Sequence, residues 1–283
     1  MNIKLFNRNF HFSITNLLGY AILIGYSFIA LFPIGLILLN SIKKQKAIFR
    51  SPYSLPIPPS IEGYEEVLKR ANFVQYFINS VTITVTVLFF VLLIGAMVAY
   101  ALAEYKFKGN GFLAIYFSLG IMIPIRLGTV SIVRLMKTLE IQESLLSLIL
   151  VYIAMGLPLT IFILASFIQE IPRDLKDAAR VDGASEYRIF FQIIVPLIRP
   201  ALATVAVFHM MPVWNDLWWP LVLAPNEKTR TITMGVSAFV GQFKTNYSAL
   251  IAALSLGMMP VLFLYMLFSR QLIRGLSAGA VKA

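Results

Sequence analysis

Of the 283 residues, 59% are hydrophobic and 13% charged, against about 45–50% and about 25% in soluble domains, so water is not the chain's main solvent. The chain has no cysteine, and its two histidines, His11 and His209, lie far apart; thiol chemistry is excluded and a metalloenzyme disfavoured. The net charge of +11 is scattered over tails and short loops, without a basic stripe or RNA-binding motif, which points to lipid headgroups and away from nucleic acid.

A bilayer core of about 30 Å needs roughly 20 apolar residues at 1.5 Å each. Six segments meet that length. Residues 17–39 are uncharged; the run is too long for a signal-peptide core and no convincing cleavage pattern follows, so it is expected to remain as an anchor. The first loop, 43–76, contains Pro52, Pro56, Pro58 and Pro59 and an amphipathic stretch over 61–70. Residues 81–103 form the second uncharged span, 111–133 a third interrupted by Arg126, and 144–168 a fourth without charge. After the loop 169–199, the fifth span, 200–224, carries Asp216, and the sixth, 245–269, is bracketed by Lys244 and Arg270. The reading is an all-α integral membrane protein with one transmembrane domain over 1–283.

Pro33, Pro124, Pro158, Pro212 and Pro260 fall inside spans, where each removes a backbone donor and kinks its helix. The freed carbonyls need partners, so the kinks are expected to face other helices or a cavity. Gly95, Ala96, Ala99, Ala252, Ala253 and Gly257 permit close helix contact, and packing alone accounts for them. Loops on both sides are basic, so the positive-inside rule leaves the orientation open.

The loop 169–199 reads QEIPRDLKDAARVDGASEYRIFFQIIVPLIR. Pro172 suits a first helical turn, and Asp174 and Asp177 suit the positive end of a short helix over 173–181. Gly183 supplies the left-handed turn that ends it. Ser185 caps a second helix, with Glu186 in its first turn, running through Ile189, Phe190, Ile193 and Ile194 towards Pro196. Ala178 and Ala179 then offer a place for close approach by another protein, flanked by Asp177, Arg180, Asp182 and Arg188. An ordinary amphipathic interfacial loop would look similar on these grounds.

The run Asp177-Ala178-Ala179, then Asp182-Gly183-Ala184, then Pro196 and Pro200, resembles the coupling loop of ABC importer permeases: E-A-A, three residues, G, and a distant proline. Asp177 replaces the usual glutamate and keeps its charge on a shorter stem. Asn79-Ser80, 99–103 (AYALA), Trp214-Asn215-Asp216 with Trp219-Pro220-Leu221, and 274–282 (RGLSAGAVK) are similar to the maltose-type, MalG-like sugar permeases. The resemblance implies a type I ABC importer permease, with six transmembrane helices and a cytoplasmic coupling helix between the fourth and fifth. It places the chain in the bacterial cytoplasmic membrane with both termini inside. It makes Asp177, Ala178, Ala179, Arg180, Asp182, Gly183 and Ala184 the ATPase-coupling residues. It also implies a second homologous permease subunit, two ATPase subunits, and an extracytoplasmic solute-binding protein that faces 43–76 and delivers a sugar or oligosaccharide. Transport would proceed by alternating access.

Active uptake needs an energy source, yet no phosphate-binding G-x-x-x-x-G-K-[ST] loop is present. The chain is therefore expected to hold no cofactor and to be no enzyme, with ATP and Mg on the partner ATPase. An ion-coupled secondary transporter is the other class. It usually buries acidic or histidine relays, and here only Asp216 lies well within a span. No nucleophile–base or metal constellation supports an intramembrane enzyme.

Arg126 lies fifteen residues past Gly111 and Asp216 sixteen past Pro200, so each sits about 23 Å along its span. Two readings stand: an ion pair near an outer gate, or separate snorkelling to water. Trp214, Asn215, Trp218 and Trp219 surround Asp216. They read either as a sugar-binding wall, with Arg126 and Asp216, or as an aromatic interface belt.

Overall fold

The computed structural model describes residues 14–70, 72–240 and 245–280, and all its regular elements are helical. α1 covers Ile14–Ser41, α2 Gln45–Arg50, α3 Glu62–Arg70, α4 Phe73–Glu104, α5 Asn110–Met122, α6 Thr129–Thr138 and α7 Leu145–Gln169. The loop region contributes α8 (Arg173–Val181) and α9 (Glu186–Ile189), which continues through a π-helical turn, Phe190–Ile194, into α10 (Val195–Leu197). α11 (Arg199–Asn215), α12 (Trp218–Leu223), α13 (Ile232–Ser237) and α14 (Tyr247–Ala280) complete the order. Among the described residues, four helices are long and apolar enough to cross a membrane, or six when two pairs bent by 85° and 75° each count as one span. His11, Lys244, Val281 and Lys282 lie outside the described residues.

The uncharged spans 17–39, 81–103, 144–168 and 245–269 fall on α1, α4, α7 and α14. The two spans with an ionisable residue are not continuous helices. Residues 111–133 divide at Pro124 into α5, a 3-10 turn Ile125–Gly128 and α6, with the halves bent by 85°. Pro124 disfavours the helical region for its predecessor, and Ile123 is extended (φ −76°, ψ 119°). Residues 200–224 break at Asp216, itself extended (φ −70°, ψ 135°), before α12 resumes. Pro33, Pro158, Pro212 and Pro260 sit inside helices that continue past them.

α4 runs through all three hydrophobic cores. At the end bearing 169–199, Ala96, Ala99 and Tyr100 pack with Leu164, Ile168, Ile189, Phe190 and Ile194. At the far end Ile83, Val87 and Val91 meet Leu148, Val151, Tyr152 and Trp219. Phe73 joins Trp214, Ile232 and Ala253 against α14. The α4–α7 contact is close because two positions lack a side chain. A Cβ on Gly95 would stand 2.3 Å from Thr160 Cγ2, and one on Gly156 would stand 2.9 Å from Val91 Cγ2. The amphipathic stretch anticipated at 61–70 is α3, which lies on α14; there Tyr64 Oη donates to Ser41 Oγ at 2.8 Å and pairs with Ser255 Oγ at 2.7 Å.

Overpacking this seam tests it. Gly95→Leu is expected to lower stability by about 1–3 kcal/mol, whereas Gly111→Ala, where a Cβ meets nothing within 4 Å, leaves it unchanged. Monodisperse protein surviving a heat ramp in detergent is the measurement.

Candidate functional site

The first region is the α8–α9 corner. α8 ends in a tight turn: Ala184 N–H donates to Ala179 O at 2.9 Å and Gly183 N–H to Arg180 O at 3.0 Å, the paired bonds of a Schellman motif. Gly183 has φ +78°, which a side chain would strain. Ser185 Oγ accepts from Arg188 N–H at 3.4 Å, as anticipated for the cap of α9.

Two basic side chains of α8, Lys176 and Arg180, turn towards their own chain, and Arg173 stays exposed. Arg180 donates from Nε to Glu186 Oε1 at 2.8 Å, from Nη1 to Asp177 Oδ1 at 2.7 Å, and from Nη2 to Glu104 Oε1 at 2.8 Å. Lys176 Nζ pairs with Glu104 Oε2, and both side chains are buried. Glu186 Oε2 also accepts from Tyr100 Oη at 2.8 Å and Tyr105 Oη at 2.5 Å. The Arg180 guanidinium, aided by the Tyr105 hydroxyl, holds the Glu186 carboxyl down to about 2, and the carboxylates hold Arg180 above its ordinary value. Removing one partner of the buried Lys176–Glu104 pair costs about 3–5 kcal/mol by stranding the other charge.

These bonds refine the expected docking face. Arg180, anticipated at its flank, is an internal clamp, and Ala179 and Ala184 pack against the adjacent core. Asp177, Ala178, Asp182 and Gly183 stay exposed. So do three apolar side chains, Val181 at 88%, Tyr187 at 73% and Leu175 at 46%. Glu104, Lys176, Tyr100 and Tyr105 were not singled out from sequence, although Tyr100 lies in the AYALA run.

The second region is the break at Asp216. Its Oδ2 accepts from Tyr152 Oη at 2.8 Å and Trp219 N–H at 3.3 Å, and its Oδ1 from Trp218 N–H at 3.1 Å. The carboxylate thus satisfies the free donors at the start of α12. Arg126 Nη2 reaches Oδ1 at 3.9 Å, with the arginine 68% exposed; a pair so open to solvent adds about 0–1 kcal/mol. The Arg126 guanidinium also stands 6.0 Å from the Trp218 ring centre, and Trp218 Nε1 donates to Thr129 Oγ1 at 3.3 Å.

A cavity of about 740 Å³ opens beside this break, between α5, α7 and α11. Arg126, Tyr152, His209, Asp216 and Trp219 give it polar atoms in a wall otherwise made of residues such as Tyr116, Phe117 and Phe208. His209 Nε2 lies 2.8 Å from Thr160 Oγ1, which also donates to Gly156 O at 2.9 Å. The hydroxyl has one proton for two neighbours, so this contact ties the His209 tautomer to the hydroxyl's orientation. Trp214 does not reach the cavity. It is buried in the α14 core, with Nε1 donating to Gly257 O at 2.9 Å. Asn215 and Trp218 are exposed beside the break and outside the cavity lining. Tyr152 and His209 are the polar residues that the sequence reading passed over.

Residues 91–278 match the family described as binding-protein-dependent transport system inner membrane component. The diacetylchitobiose uptake system permease protein NgcG of Streptomyces coelicolor is 34% identical over 94% of this chain and 88% of its own. The arabinooligosaccharides transport system permease protein AraQ of Halalkalibacterium halodurans is 32% identical over 94% and 97%. The melibiose/raffinose/stachyose import permease protein MelC of Bacillus subtilis is 31% identical over 87% and 90%. The fold matches that of a bacterial ABC transporter involved in the import of the acidic polysaccharide alginate, with a TM-score of 0.78 at 21% identity over 91% of this chain and 96% of that one.

The α8–α9 network makes a pH prediction. Since the Glu186 carboxyl sits below its ordinary value, its stabilisation is complete above that value and is lost as the pH falls towards about 2. Amide exchange over 173–189 should therefore be slower in the parent than in Glu186→Gln at neutral pH. The difference should close between about pH 4 and about pH 2.

Proposed function

We propose, because this chain belongs to the family of inner-membrane components of binding-protein-dependent transport systems, that it forms half of the translocation pathway of a sugar importer and is driven through residues 169–199. It is a multi-pass membrane permease with the type I ABC importer fold, of the MalG-like carbohydrate-uptake kind, and is not an enzyme; ATP hydrolysis belongs to a separate subunit. Family membership leaves the self-sufficient ion-coupled transporter without support.

The observation that carries the coupling assignment is the outward face of α8–α9. Lys176 and Arg180 are consumed internally, while Ala178, Val181 and Tyr187 are presented to the outside beside the exposed Arg173 and Arg188. Apolar side chains in that position call for a protein cover, and we assign the ATPase subunit to them, with Asp177 and Asp182 at the edge. Docking there sets α8 and, by six crossings, both termini on the cytoplasmic side. The other subunits are a second homologous permease and a second ATPase. A solute-binding protein reaches the opposite face around 43–76; a structural relative was solved with an alginate pentasaccharide-bound periplasmic protein.

The cavity beside Asp216 is this chain's wall of the pathway. Aromatic faces at Tyr116, Phe117 and Phe208, together with directional groups at Tyr152, His209, Arg126 and Asp216, suit a di- or oligosaccharide. Such sugars are named for NgcG, AraQ and MelC.

Purification from the native host in mild detergent, with mass spectrometry of the partners, tests the assembly. An ATPase and a second permease should accompany the parent chain. Gly183→Val, strained at φ +78°, should reduce ATPase recovery by about tenfold or more, and Asp177→Arg should do likewise. A chain that purifies alone with unimpaired sugar uptake would sink the importer reading. In uptake assays, Asp216→Ala is expected to be more damaging than Arg126→Ala, because it strands the donors of Tyr152, Trp218 and Trp219 at about 1–3 kcal/mol each. Combining Arg126→Asp with Asp216→Arg should restore little uptake, since an arginine cannot accept those bonds.

A further inference from the structure

A lipid-crossing helix satisfies its own backbone, yet α4 is also tied by side chains at both ends. At Glu104 it takes the Lys176 ammonium and the Arg180 guanidinium of α8 on its two carboxylate oxygens. Twenty-five residues earlier, about 38 Å away along the helix, Asn79 Nδ2 donates to the carbonyls of Lys228 and Arg230, both at 2.9 Å. Beside it Ser80 Oγ accepts from Ile232 N–H at 2.8 Å. The segment held in this way is itself fastened to the break: Thr233 Oγ1 donates to the Asp216 carbonyl at 2.7 Å. Asp216 then gathers Tyr152, the start of α12 and Arg126.

Resting on the reading of α8 as the ATPase contact, we propose that α4 is the strut that carries α8 movement to the Arg126–Asp216 break, with Glu104 and Asn79 as its positioning residues. Three properties fit α4 for this. It is one unbroken helix of 32 residues with no internal proline. It is pressed against α7 at Gly95 and Gly156, where a slide would meet Thr160 and Val91 side chains. Its lower clamp is two-pronged and largely buried, with Lys176 and Glu104 side chains 4% and 8% exposed, so separating it would strand charge. α11 is the competing route because it connects the loop to Asp216 covalently. That route starts at a 75° bend, contains Pro212 and ends in an extended residue, so its two ends are less firmly coupled.

The absence of cysteine from this chain allows a single reporter on it, read on its own band after the subunits are separated. Leu127, 85% exposed in the turn at the break, is changed to Leu127→Cys in the assembled importer in lipid nanodiscs. Its maleimide labelling rate is then read with and without a non-hydrolysable ATP analogue. The parent rate should change by about fivefold or more. Glu104→Gln and, independently, Asn79→Ala should abolish that dependence while the ATPase subunit stays bound. Asn79 lies far from α8, so its variant cannot act by disturbing docking. Retained dependence in both variants would mean that movement travels through α11, and would overturn the strut, as would an ATPase-bound parent whose labelling ignores nucleotide. A parent complex that never holds an ATPase would instead overturn the functional reading beneath it.

Discussion

The close seam between α4 and α7 is the constraint on which the rest of the fold depends. Thr160 sits at its centre, fully buried, with its methyl group in the space left by Gly95 and its hydroxyl bound to Gly156 O and His209 Nε2. One threonine thus joins α4, α7 and α11, three of the helices that position both functional regions. In a bilayer, burying apolar surface between helices gains little over lipid, so association relies on close packing and interhelical hydrogen bonds. Thr160 supplies both at one point. The cavity opens on the other side of the same seam, with His209 in its wall.

The loop corner obeys a different rule. α8 is short and strongly charged and would gain little by lying on lipid. Lys176 and Arg180 instead neutralise Glu104 and Glu186 and bind α8 to the end of α4. This leaves Ala178, Val181 and Tyr187 on the outward face among exposed charges such as Asp177, Asp182 and Arg188. The corner is consequently firmly attached to its own chain while keeping apolar side chains at its surface.

Much of this was legible in the sequence where a local rule governed the outcome. Uncharged runs gave α1, α4, α7 and α14. The proline, the glycine and the serine of 172–185 gave α8, its left-handed end and the next cap to the residue, because each rests on backbone stereochemistry within a few positions. The breaks at Pro124 and Asp216 were harder to see. Of Pro33, Pro124, Pro158, Pro212 and Pro260, only Pro124 stands where its helix ends. Matching the depths of Arg126 and Asp216 placed both at one level, and the structure sets them 3.9 Å apart. It did not reveal that Tyr152 and two backbone amides are the aspartate's nearer partners. Glu104 was invisible for a related reason: a single acid at the end of an apolar run looks like a boundary marker until α8, seventy residues later, folds back to it.

Asp216 shows how a lone intramembrane carboxylate is put to structural use. A proton relay needs neighbours that can receive a proton and pass it on. The groups around Asp216 are a phenol hydroxyl, two backbone N–H groups and an arginine, and all of them donate to the carboxylate in this arrangement. The carboxylate's lone pairs are spent ending α11 and starting α12. The residue that breaks the span is thus also the one that holds its two halves and α7 in register.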